Sequence, residues 1–392
     1  MTSLREHWAL DPGVVFLNHG SFGATPRAAL AEQDRIRTQM EREPVRFFVY
    51  ELEPLWDAAR VEVAGFVGAR PADLVFVRNA TEGVNGVLRS LALNPGDQLL
   101  TTSHAYGACR NALTYVAAAA GAEVVVADVP FPIGSPEDAV EAVLSAVTPR
   151  TRLALVDHVT SPTGMVLPIE RLVRELDARG VDCLVDGAHG PGMVALDLGA
   201  LGAAYYVANF HKWTCAPKGA GMLHVRADRQ AGLHPAVISH GFATTRKRSR
   251  FHEEWDWVGT DDPTPMLCVP FALRYLAGLV DGGWPQIRAR NTALVARGRE
   301  ILCAELGVAP PCPAEMLGSL AAVPLPDGDE APPSSALYAD PLQRRLLEEH
   351  GVEVPIVPWP APPRRWVRLS AHLHNEEEDY LALARALRTA LD

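Results

Sequence analysis

Two apolar runs near the middle of the chain each end in a residue able to do chemistry. The first, Val181-Asp182-Cys183-Leu184-Val185, closes on Asp186-Gly187-Ala188-His189; the second leads through Ala208-Asn209-Phe210 into His211-Lys212-Trp213. An Asp at one strand end and a Lys after a later strand suit a pyridoxal phosphate site, where a carboxylate faces the pyridinium nitrogen and an amine forms the imine. Lys212 is therefore the candidate Schiff-base lysine. Taken singly, each residue is ordinary: a Lys after an apolar strand is usually solvated, and an Asp at a strand end usually caps the next helix. Their company decides between the readings.

A third motif, Asn79-Ala80-Thr81-Glu82-Gly83, lies between an apolar run and a helical pattern, with Thr81 placed as the N-cap. A helix start of this kind favours a phosphate, through unpaired N–H groups and the helix dipole. The chain carries no GxxxxGK[ST] loop and no GxGxxG after a strand, which leaves nucleotide readings little support.

The elements that must hold these residues can be read from the apolar runs. Short β-rich segments at 73–77, 98–102, 123–126, 152–156, 182–185, 205–207 and 221–225 are apolar nearly throughout, as expected for strands covered on both faces. Helical patterns at 54–67, 81–93, 105–120, 135–147 and 168–179 alternate with them, so an α/β domain with a mostly parallel sheet follows. Ligands in such sheets bind at the carboxyl ends of the strands, where Asn79, Ser103, Asp157, Asp186 and His211 would converge. After about Thr260 the texture changes to long helices at 266–280 and 284–306, a Pro-rich irregular stretch at 309–333, a helix at 341–350, a strand at 366–369 and a closing helix from 376. The expected organisation is an N-terminal segment (1–25), a large cofactor domain (26–258) and a smaller α+β domain (259–392).

With 392 residues, 48% hydrophobic and 21% charged, the chain can bury two cores. A formal charge of −11 argues against nucleic acid or an anionic membrane as partner. The one basic run, Arg246-Lys247-Arg248-Ser249-Arg250, reads as a solvated loop. Six cysteines, Cys109, Cys183, Cys215, Cys268, Cys303 and Cys312, form no CxxC pair, which suits a reducing compartment and offers no zinc site of the usual spacing. No apolar leader opens the chain and no run of about 18 apolar residues could span a bilayer. A cytoplasmic location is expected.

In order and spacing, the motifs at 79–83, 186–189 and 211–213 resemble the class V aminotransferase superfamily of fold-type I pyridoxal phosphate enzymes. Leu17-Asn18-His19-Gly20-Ser21-Phe22-Gly23, Asp157-His158-Val159-Thr160-Ser161-Pro162-Thr163-Gly164 and Trp257-Val258-Gly259-Thr260-Asp261 resemble its isopenicillin N epimerase-like branch. The resemblance covers nearly the whole chain. It implies that Lys212 forms the imine, that Asp186 keeps the pyridine nitrogen protonated, and that Ala80, Thr81 and His211 meet the phosphate. It places His189 near the ring's phenolic oxygen and an aromatic or imidazole ring, Tyr106 or His104, over the cofactor. Arg368 would grip the substrate α-carboxylate with help from Asn18, while Ser161 stands where many members carry Asn. Thr260 would reach the phosphate of a neighbouring subunit, which implies a homodimer.

The same resemblance implies a reaction begun by Cα deprotonation of an amino-acid-derived substrate. Returning the proton to the opposite face, with Tyr106 as donor, gives epimerisation. Loss of a β-sulfur group gives instead a C–S lyase acting on cysteine, a cysteine conjugate or its sulfoxide. The neighbouring cysteine desulfurases need a mobile cysteine shortly before the carboxylate-binding arginine, and none lies between Pro313 and Arg368; Cys312 stands just outside this interval. Intact Lys212 and Asp186 argue against a non-catalytic scaffold. Residues 44–48, Arg46 among them, and the loop 240–257 with its basic run are the expected readers of the substrate side chain.

Overall fold

The computed structural model describes residues 4–329 and 340–391. Its strands, in chain order, are β1 (Val15–Phe16), β2 (Leu74–Val77), β3 (Gln98–Thr102), β4 (Glu123–Ala127), β5 (Thr151–Asp157), β6 (Asp182–Gly187), β7 (Tyr205–Asn209), β8 (Gly221–Val225), β9 (Leu320–Pro324), β10 (Val352–Glu353), β11 (Ile356–Pro358) and β12 (Arg365–Ser370).

Seven of them form one sheet in the order β2-β8-β7-β6-β5-β3-β4. All neighbours are parallel except around β8, which runs antiparallel to both β2 and β7. Successive side chains on a strand face opposite sides, and both sides here are covered. Leu153 and Leu155 of β5 pack in one apolar cluster with Val84, Val87 and Leu113 of the helices Ala80–Arg89 and Gly107–Ala120. Ala154 and Val156 pack in another with Trp56 and Val63 of the helix Leu52–Val67 and Leu172 of the helix Ile169–Asp177. That double coverage is why the strand runs lack polar alternation. β4, at one edge, is the strand left partly open, while the opposite edge strand β2 is closed off by Phe251 and Trp255 of the helix Arg250–Asp256.

A three-stranded antiparallel sheet, β11-β12-β9, makes the second unit. Its residues Val323 and Val367 share one unbroken apolar cluster with Val156 and Val185 of the large sheet, so the two units pack as one body. β9 lies inside the stretch expected to be irregular: Pro flanks it, but Leu320–Val323 are buried against β12. The stretch 330–333 at the end of that expected segment lies outside the described residues. The helix Arg27–Arg42, absent from the sequence reading, spans one flank. Within the N-terminal segment, β1 pairs in parallel with β10. Gly23, with φ of 67°, lets this segment press against the chain at His211, where a Cβ would come within 1.8 Å of the His211 carbonyl oxygen.

Candidate active site

The chain turns from β3–β4 back to β5 on the other side of β3, and ligands of open α/β sheets bind at such a switch point, beyond the carboxyl strand ends. A cavity opens there, lined by Ala80, Thr81, Tyr106, Asp157, Asp186 and Lys212 together with Ser21, Val159, Ser161, Ala188, His189 and Asn209.

Lys212 follows β7 and is partly buried. Burial, with the Arg368 charge as a second cause, brings its amine down from 10.5 to about 7. Its Nζ lies 3.1 Å from His189 Nε2. The Trp213 indole N–H donates to His189 Nδ1 over 3.1 Å, so that nitrogen carries no proton and Nε2 carries the hydrogen. His189 therefore donates to a neutral Lys212. Burial first, and then Lys212, hold the His189 imidazole well below its ordinary value, consistent with a neutral ring. An amine kept neutral and aimed into a cavity is the nucleophile that imine formation needs.

Asp186 closes the same wall from β6. Its Oδ1 accepts the Ala188 N–H at 3.0 Å and its Oδ2 the Cys109 thiol at 3.2 Å. Asp157, the last residue of β5, stands in register beside it and is held well above the usual carboxylate range by burial and then by the Asp186 charge.

At the opposite end begins the helix Ala80–Arg89. The cap is Asn79, whose side chain accepts the Glu82 N–H at 3.0 Å, and not Thr81, which falls in the first turn and lines the cavity. Ala80 donates its N–H to Asn209 Oδ1 at 2.8 Å. His211 stands outside the cavity lining, with Nδ1 buried and without a partner. A helix start and an orphaned imidazole nitrogen near the lysine fit the phosphate end of pyridoxal phosphate.

Arg368, on β12, is buried, and among the described residues no carboxylate pairs with it. It donates from Nη1 to the Ser161 carbonyl at 2.6 Å and from Nη2 to Ser21 Oγ at 3.0 Å, while its Nε finds no partner. Burial lowers the guanidinium to about 10. A buried cation without a counter-ion is costly, and a substrate carboxylate would supply the missing charge. Asn18 lies one step back: its Oδ1 accepts the Ser21 hydroxyl at 2.5 Å and its amide donates to Glu353 at 2.7 Å, so it acts on Arg368 through Ser21.

Besides His211, Asn18 and Arg368, which stand outside the lining, three more expected residues are not brought to the cavity of this chain. His104 is fully buried, its nitrogens 2.8 Å from Thr163 Oγ1 and 3.0 Å from the Val129 carbonyl and its ring stacked on Trp359 at 4.3 Å, so Tyr106 alone of the two borders the cavity. Arg46 is exposed and bonds Glu51 at 2.8 Å. Thr260 is exposed, outside the lining. The basic run is likewise occupied: Arg246 pairs with Glu53, Arg248 with Asp57 and Asp256, and Arg250 with Glu254, which leaves none of the three arginines as an unpaired reader of a distal carboxylate.

Ser21 and Asn209 line the cavity, and Cys109 touches Asp186, without having been singled out from sequence, whereas Asp157 was expected at this edge but given no role. For Asp157 and Asn209 the signal was present, since both end apolar runs as Asp186 does. For Cys109, buried in a helix, there was none. All six cysteines are buried, Cys312 among them beside Arg299, so no thiol is displayed on an open loop. His19, Cys215 and His372 cluster tightly, but the two rings stack at 4.3 Å with 19° between planes, and each Nε2 meets a backbone carbonyl, of Lys212 at 3.0 Å and of Trp213 at 3.1 Å. Stacked rings send their lone pairs along parallel planes and not to one ion; the cluster braces the lysine turn.

The sequence profile of the class-V aminotransferases matches residues 39–326. The chain is 37% identical to the isopenicillin N epimerase of Amycolatopsis lactamdurans, over 98% of this chain and 97% of that protein. It is 31% identical to the probable chloroplastic L-cysteine desulfhydrase of Arabidopsis thaliana, over 96% of this chain and 83% of that protein. Among solved structures, the cysteine desulfurase CsdA of Escherichia coli superposes with a TM-score of 0.78 at 21% identity, covering 99% and 97% of the two chains, and shares the fold.

Proposed function

Since the chain belongs to the class-V aminotransferase family of pyridoxal phosphate enzymes, we propose that it is an isomerase of the isopenicillin N epimerase type, acting at Cα of an amino-acid moiety. The observation that carries this reading is the neutral Lys212 amine, fixed by the one-way hydrogen bond from His189, in a cavity whose neighbouring Arg368 lacks a counter-carboxylate. Bound pyridoxal phosphate supplies an aldehyde for the substrate amine and a protonated ring that accepts the electron pair left at Cα.

The chain's own residues do the rest. Arg368, steadied by Ser21 and Ser161, takes the α-carboxylate and fixes which Cα bond stands toward Lys212. Lys212, once released, removes the Cα proton as a base whose value near 7 suits neutral pH. Tyr106, at the start of the helix Gly107–Ala120, delivers a proton to the other face. Asp186 holds the charge that keeps the ring protonated, and Thr81 and His211 hold the phosphate.

A second reading is supported by the likeness to the desulfhydrase. The same deprotonation by Lys212 would be followed by cleavage of a Cβ–S bond, with Tyr106 protonating the departing sulfur. Incubation in deuterated solvent separates the two. Deuterium at Cα with inversion and without pyruvate is the expected outcome; pyruvate release from cysteine conjugates would replace the first reading by the second.

The site is completed in a homodimer, with Thr260 reaching the partner's phosphate end; the exposed position of Thr260 outside its own cavity supports this. Six unpaired buried thiols support a reducing compartment, the cytoplasm. No helix among the described residues is long and apolar enough to cross a membrane.

A further inference from the structure

Two carboxylates share the inner wall of the cavity. Asp157 ends β5 in direct register with Asp186 of β6, and both are buried, 3% and 4% exposed. Asp186 is satisfied by the Ala188 amide and the Cys109 thiol. Asp157 is faced by backbone amides, its own and that of Tyr106, and, as the weakest influence, by Lys212. Among the described residues, Lys212 is, when protonated, the cation that acts on Asp157. Lys212, after β7, is the neutral acceptor of the His189 hydrogen bond, and Arg368, from β12, is engaged by Ser161 and Ser21. Tyr206, inside the sheet on β7, bonds His158 at 2.8 Å and brings no charge, and Cys109 is already a donor to Asp186. Two ionised carboxylates side by side in such a wall repel strongly, and one retained proton removes the conflict.

We propose that Asp157 and Asp186 keep one proton between them in the cofactor-free enzyme and pass it to the ring nitrogen of pyridoxal phosphate as the cofactor enters. The step rests on the cofactor reading above. A carboxyl O–H bond breaks, a ring N–H bond forms, and no electrons are transferred. The wall carries one net negative charge before loading, and the two carboxylates with the pyridinium carry one afterwards, so the transfer leaves the charge at this wall unchanged. The upward displacement of Asp157, caused by burial and then by Asp186, is the behaviour such a store requires. Asp157 is thus a proton-storing partner of Asp186 in the reaction cavity.

Calorimetric binding of pyridoxal phosphate to the cofactor-free dimer, in buffers of different ionisation enthalpy and at a pH where the free ring nitrogen is unprotonated, counts the protons drawn from solvent. Asp157→Asn, which cannot store a proton, should take up about one more proton per site than the wild type. Equal counts overturn the proposal. An infrared measurement on the unmodified protein provides a check that does not depend on the variant folding. A carboxylic-acid C=O band sensitive to deuteration should be present without cofactor and vanish on loading; its absence from the free protein overturns the proposal. Borohydride capture on Lys212 is run alongside. Failure of capture defeats the cofactor reading and this proposal together, whereas normal capture with equal proton counts defeats this proposal alone.

Discussion

His189 donates to Lys212, and not the reverse, because the Trp213 indole already occupies the other imidazole nitrogen: the two contacts, each 3.1 Å, fix one tautomer and with it a neutral amine. The residue after the lysine thus sets the protonation state of the lysine, through a histidine carried by the turn after β6. Replacing Trp213 by Phe removes that constraint at the price of one hydrogen bond, about 1 kcal/mol. Cofactor uptake by Trp213→Phe should slow roughly five-fold and its pH dependence move upward, measured by stopped-flow absorbance. An unchanged pH profile would contradict the tautomer assignment.

The neutral amine has a signature in stability. Lys212 sits at about 7 when folded and 10.5 ordinarily, so between those values the unfolded chain binds more protons and folding stability of the cofactor-free protein rises with pH. Lys212→Met cannot titrate and should abolish this rise. The variant is expected to exceed the wild type by a few kcal/mol at about pH 6, with the gap closing near pH 10, in denaturant titrations. Parallel curves for the two proteins would show that Lys212 is not depressed.

Arg368 is expected to matter for substrate and not for folding. Arg368→Gln removes two charge-assisted hydrogen bonds to the carboxylate, together about 1.5–3 kcal/mol, so KM should rise roughly 10- to 100-fold. Because no protein carboxylate is left unpaired, the melting temperature should hold or increase. A large loss of thermal stability with KM unchanged would assign Arg368 a structural role.

Arg248 makes the opposite case. It bonds Asp57 and Asp256 while only 17% exposed, in the most occupied part of the basic run. Arg248→Ala should destabilise the fold by about 1–3 kcal/mol and leave KM unchanged. A raised KM without destabilisation would restore the run as a substrate reader.

Thr260 tests assembly. Thr260→Ala is expected to weaken cofactor binding about five- to tenfold, the worth of one hydrogen bond, in a protein that still sediments as a dimer. A wild-type monomer with full cofactor affinity would remove the role given to this residue.

Much of the large unit was readable because its strands are covered on both faces. β3, β5, β6, β7 and β8 announce themselves as apolar runs, and the residues ending them converge wherever such strands run parallel. The small unit was less legible. β9 is short and flanked by Pro, and its strand character comes from pairing with β12, far along the chain. The cap at Asn79 was misassigned to Thr81 because both residue types cap helices, and only the bond to the Glu82 amide distinguishes them.

The order of side-chain chemistry along the chain determined what kind of site this is: an Asp ending one buried strand, a Lys after the next, and a helix start for an anion, all required by one cofactor. What lay beyond the sequence was which partner each group meets. His104 and Tyr106 are two residues apart and equally suited to stacking, yet Thr163, Val129 and Trp359 claim the first and leave the second at the cavity. Arg46 and Arg368 are the same residue type, but one finds Glu51 in solvent and the other is buried with hydroxyl and carbonyl acceptors alone. Charge state and availability depend on burial and on neighbours distant in sequence, as the Asp157–Asp186 register pair illustrates. Those are properties of the packed chain, so only the tertiary structure could decide them.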